Sequence, residues 1–67
     1  MVTFTLEEEI DELKRELSMR EKVYPKWIQE GKIKRDSAEK KKGLIKSTIA
    51  RLERELKKKI GEQLNLL

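Results

Sequence analysis

Three observations predict an all-α chain, an antiparallel two-helix hairpin of coiled-coil type that pairs into a dimeric four-helix bundle. Apolar residues recur at three- and four-residue steps in two separate segments. A short polar connection containing Gly31 lies between them, and the two apolar series match when one is reversed.

Composition explains why pairing is expected. The 67 residues are 45% charged and only 36% apolar, with a formal charge of +4. Such a chain is one domain, 1–67. Below about 70–80 residues a single core seldom supplies more than about 3–5 kcal/mol, and small proteins add disulfides, metals or subunits. With neither Cys nor His, disulfides and Cys/His zinc sites are excluded. A carboxylate site or, more simply, self-association remains; no cofactor is expected.

The first helix is expected over about 6–30. Leu6, Ile10, Leu13, Leu17, Arg20, Tyr24 and Trp27 form a heptad-like seam with one polar position. Thr5 followed by Glu8 is a capping box, and Glu7, Glu8 and Glu9 occupy the first turns, where the helix dipole favours negative charge. Pro25 lacks an N–H and its ring clashes with the carbonyl four residues back, so the helix kinks or restarts there. Trp27 and Ile28 continue the apolar series up to Gly31, the expected end.

Residues 31–35 form the turn, short enough to make the flanking helices antiparallel. Asp36 with Glu39, or Ser37 alone, is expected to cap a second helix over about 36–60. Its apolar face is Ala38, Ile45, Ile49, Leu52, Leu56 and Ile60. Gly43 inside it costs about 1 kcal/mol relative to Ala. Gly61 is expected to end it, leaving 61–67 as a tail carrying Leu64, Leu66 and Leu67. Leu6 with Ile60, Ile10 with Leu56, Leu13 with Leu52, Leu17 with Ile49, Arg20 with Ile45 and Trp27 with Ala38 have residue numbers that sum to 65 or 66. That constant sum is the signature of a matched antiparallel seam. Ile28, Leu44, Leu64 and Leu66 fall off the seam and call for further cover, which a second hairpin supplies most simply, with a higher oligomer or a host protein as the alternatives.

Charge is unevenly laid out. Residues 1–19 hold six acids against two bases, residues 20–42 nine bases against four acids, and residues 43–67 six bases against three acids. The Lys57, Lys58 and Lys59 run is explained structurally, by the dipole at the end of the second helix and by Glu7, Glu8 and Glu9 opposite. Lys32, Lys34, Arg35, Lys40, Lys41 and Lys42, around the turn, have no comparable acidic partner. They read as a solvated surface, a dock for an acidic protein, or phosphate contacts to nucleic acid, in that order. Tyr24, Pro25, Lys26 and Trp27 at the same end complete the expected partner-binding surface. Base stacking by the two aromatics is the sharper reading, and core packing on the seam the plainer one. Lys40, Lys41 and Lys42 fan around the helix, unlike a groove-reading stripe. Arg20, with Glu16 one turn before it, reads as a register-setting polar layer or an anchor for a partner carboxylate.

No enzyme is expected. Ser18, Ser37, Ser47 and Thr48 have no evident base, and Glu7, Glu8, Glu9, Asp11 and Glu12 crowd one exposed helix start instead of facing one another. Glycine-rich phosphate loops are absent. No apolar run approaches a membrane span, and the first residues lack the pattern of a signal peptide, so a cytoplasmic setting is expected. Membrane-surface binding is disfavoured because the hairpin already uses the apolar face.

Glu16-Leu17, Arg20, Val23-Tyr24-Pro25-Lys26-Trp27-Ile28, Gly31-Lys32-Ile33 and Ala38 together resemble a family of small uncharacterised bacteriophage and prophage accessory proteins. The resemblance covers about residues 12–56, and its most specific part is Val23-Tyr24-Pro25-x-Trp27. It implies a helical, phage-type protein of the bacterial host cytoplasm that acts by binding. The lysine-rich stretch after Gly31 departs from that pattern. The function expected is a non-enzymatic helical interaction module that self-associates and binds a protein partner, with nucleic-acid binding by the basic turn as the alternative.

Overall fold

The computed structural model describes residues 3–65, and among them there are two helices and no strand. Helix α1 spans Leu6–Gln29 and helix α2 spans Arg35–Asn65, packed against each other through the matched seam.

The start of α1 follows from its capping box. The Glu8 N–H donates to Thr5 Oγ1 at 3.1 Å, and the Thr5 N–H donates to Glu8 Oε1 at 3.2 Å. A single helix crosses Pro25 without restarting. Pro25 and Glu21, whose carbonyl loses its partner, both lie on the exposed side, where water can take that bond. The end is a Schellman motif. The Gly31 N–H donates to the Ile28 carbonyl at 3.1 Å and the Lys32 N–H to the Trp27 carbonyl at 2.8 Å. Gly31 takes φ +76°, the left-handed conformation this closure requires.

Two boundaries of α2 differ from expectation. It starts at Arg35, so Asp36 and Ser37 lie inside its first turn and do not cap it; the Ala38 N–H donates to the Lys34 carbonyl at 3.0 Å. Asp36 still complements the helix dipole there. At the other end α2 runs through Gly61 to Asn65. Glycine ends a helix by turning left-handed, and Gly31 is the only described residue that does so. Of the three C-terminal leucines, Leu66 and Leu67 lie outside the described residues; the Leu64 backbone is helical.

The fully buried core is small: Ile10 and Tyr24 from α1, Ala38 and Ile49 from α2. Leu6, Leu13, Leu17, Ile45, Leu52 and Leu56 are half-buried along the same seam. The register agrees with the matched series. Leu13 and Leu52 line one concavity, and Leu6 and Ile60 line another. Lys14 and Glu53, flanking the seam, form an ion pair at 3.2 Å.

Trp27 leaves the seam. It is 39% exposed, while Tyr24 is 4% exposed and Ile28 is half-buried. A strict seven-residue repeat drifts by about 20° per heptad in a straight helix, so by the third heptad from Leu6 the next inward position is 28, not 27. In α2 the gap between Ala38 and Ile45 is filled by Lys42, whose stem packs on the seam while its ammonium reaches Glu39 at 3.2 Å.

The hairpin is elongated, 55 × 24 × 18 Å, with a radius of gyration of 16.0 Å. A compact chain of this length would have about 11 Å.

Candidate functional site

The looped end brings together most of the residues expected to contact a partner, and divides them. Tyr24 is corrected to a core residue: its ring is buried and cannot touch a partner from within the folded hairpin. Trp27 packs on its edge, with ring centroids 5.8 Å apart and planes tilted by 43°. Trp27 therefore presents its outer face beside Pro25 and Lys26, both exposed.

The cations divide in the same way. Lys42 is half-buried and held by Glu39, and Lys32 lies 3.6 Å from Glu30. Lys34, Arg35, Lys40 and Lys41 are exposed, and among the described residues none of the four forms an ion pair. The accessible positive charge of this end therefore rests on these four, together with Lys26.

Arg20 and Glu16 form the expected polar layer. The Arg20 guanidinium donates to the Glu16 carboxylate and also to the Glu16 carbonyl at 3.3 Å. The hydrogen bond that Arg20 donates to the Glu16 carboxylate raises the Arg20 pKa above its ordinary value; burial opposes this and Tyr24 adds to it. A raised pKa keeps the basic group charged, and the stabilisation it brings is lost only as pH rises through that higher value. Like any arginine, Arg20 is charged throughout the neutral range. Its side chain is 34% exposed, so the head reaches the edge of the seam and water.

The open end offers a groove instead of charge. A shallow concavity of about 620 Å³ lies between the helices, lined by Phe4, Glu9, Glu12 and Leu13 on one side and Thr48, Arg51 and Leu52 on the other. This places the row Glu9, Glu12, Glu16, Met19, Val23, Trp27 of α1 and the row Lys41, Leu44, Thr48, Arg51, Glu55 of α2 on one face of the hairpin. The Lys14–Glu53 pair marks the opposite face. Among the described residues, four of the five exposed large apolar side chains belong to the grooved face: Phe4, Met19, Trp27 and Leu44. Met19 and Leu44 are 56% and 60% exposed. Sequence reasoning left out Phe4, Met19 and Val23 because it followed only the inward seam. The four-residue steps from Met19 to Val23 to Trp27 were the available signal.

Among the described residues no group of three or more Asp, Glu, His or Cys converges as a metal site, and no helix is long and apolar enough to cross a membrane. The fold and surface define a two-helix antiparallel hairpin with one grooved, partly apolar face and a positively charged turn. No family model, curated protein or solved structure matches the chain.

Proposed function

We propose that this chain is a non-enzymatic interaction module, a phage-type accessory protein of the host cytoplasm. In this reading the hairpin self-associates into a dimeric four-helix bundle and binds an acidic protein surface through Lys34, Arg35 and Lys40 at its looped end. One observation carries the reading: the hairpin leaves more surface open than a compact chain of its mass. Its accessible surface is 5925 Å². A compact protein of 8.0 kDa exposes about 4,500 Å², so roughly a third more surface is left open than a finished monomer would have. A stable interface of ordinary size covers about 800 Å² per partner, which fits within that excess.

Self-association makes stability depend on concentration, because pairing draws the folded state forward by mass action. The melting temperature, followed by circular dichroism from low micromolar to high micromolar protein, is expected to rise steadily. A melting temperature independent of concentration would remove the dimer from this proposal.

Nucleic-acid binding is the second reading, favoured by the exposure of Trp27 at the same end of the hairpin as the exposed Lys26, Lys34 and Lys41. Phosphate contacts release counterions, so affinity for a labelled DNA duplex would fall steeply as salt rises, with a log–log slope near the number of contacts. Absence of binding to duplex and single-stranded DNA at low salt would leave the acidic protein partner as the sole reading of the turn.

A further inference from the structure

We infer that the second copy docks on the grooved face end for end, the exposed Trp27 of each chain seated over the other chain's open-end groove. This rests on the self-association proposed above and adds the face and the orientation.

The two faces are unequal in what they leave exposed. The grooved face carries Phe4, Met19, Trp27 and Leu44 among charged residues such as Glu9, Glu12, Lys41 and Glu55, whereas the opposite face carries charged residues such as Lys14, Glu21, Lys46 and Glu53, of which Lys14 and Glu53 are paired. Covering either face strips charges of solvent, but covering the first also removes more apolar surface from water.

Orientation follows from shape and charge along that face. Trp27, with its exposed outer face, lies at the looped end, and the concavity of about 620 Å³ lies at the open end. In a twofold pair the same patch serves both copies, so an exposed aromatic and a concavity at opposite ends of one face are satisfied twice when the chains run end for end. Rotation about a dyad level with Leu17 and Ile49 also brings Lys41 of one copy level with Glu55 of the other, both on the grooved face. The alternative, with looped ends together, sets Glu9 of one copy level with Glu55 of the other. Like charges there oppose the arrangement.

The sequence has no cysteine, so introduced pairs report without interference. Residues 41 and 55 of one helix are about 21 Å apart, beyond the reach of an internal disulfide, whose Cα atoms lie about 4.4–6.8 Å apart. Mild oxidation of Lys41→Cys/Glu55→Cys is expected to give a covalent dimer. Lys14→Cys/Glu21→Cys, placed symmetrically about the same dyad level on the opposite face, is expected to stay uncrosslinked. Both pairs occupy exposed positions, and helicity checks their folding.

Trp27 is the only tryptophan, so the unmodified chain offers a second reading. Its emission is expected to shift to the blue as concentration drives association. A dimeric protein in which the first pair stays uncrosslinked, or the second pair crosslinks, or Trp27 emission does not move, overturns the docking face while leaving self-association intact. A protein that stays monomeric at every concentration overturns both.

Discussion

The two ends of the hairpin are built to different degrees of completion. At the looped end Ala38 is fully buried, Tyr24 nearly so, and a Schellman motif closes the turn with its carbonyls satisfied. At the open end Leu6 and Leu56 are half-covered, Ile60 is 47% exposed, and a groove separates the helices where the looped end has a packed aromatic. The physical cause is geometric. A turn holds two helices together at one end at no cost in loop entropy beyond a few residues, while the other end relies on side chains alone. Tyr24 and Ala38 near the turn are therefore packed by the chain itself, while Leu6 and Ile60 at the other end stay partly uncovered.

Substitutions at the two ends should differ accordingly. The largest effect is expected from Tyr24→Ala, since truncating a large buried aromatic costs about 3–5 kcal/mol, comparable to the whole stability of so small a domain. Urea unfolding should show the cooperative transition lost or moved close to zero denaturant. Retention of a midpoint near wild type would mean that the looped end is not the stable one.

Next comes Gly31→Ala, which forces a side chain into the left-handed conformation at φ +76° and is expected to cost about 1–2 kcal/mol, read as a lower urea midpoint. Gly61→Ala sharpens the contrast, because Gly61 is helical with open space where a Cβ would go. It is expected to stabilise by about 0.4–1 kcal/mol, read as a higher urea midpoint.

Thr5→Ala removes the capping box and is expected to cost about 1 kcal/mol, felt mostly as fraying at the open end. Amide exchange would show it as faster exchange in the first turn of α1, with the amides near Tyr24 unchanged. The smallest effect is assigned to Lys14→Ala, which breaks an exposed ion pair worth at most about 1 kcal/mol; a high-salt buffer should erase the difference from wild type.

Much of this architecture was legible in the order of residues. The capping box at Thr5 and Glu8 is a local pattern with a local cause, and so is the helix stop at Gly31. The constant-sum pairing of the two apolar series anticipated the register that Lys14 and Glu53, and Leu13 and Leu52, display. What escaped depends on three dimensions. The seven-residue rule carried Trp27 inward, whereas accumulated drift in a straight helix turns it outward and brings Ile28 in. Lys42 reads as a surface cation because its charge dominates its symbol, yet its stem fills a seam position. Gly61 carries the composition of a stop without the left-handed turn that makes one. The grooved face was invisible for another reason: its apolar rows are interrupted by Glu9, Glu12 and Arg51, and only the pairing of two helices places them side by side.

Sedimentation equilibrium at tens of micromolar tests the self-association reading most directly. The expected result is a folded, helical particle of twice the 8.0 kDa chain mass that dissociates on dilution. A single, fully helical 8.0 kDa species throughout that range would contradict it.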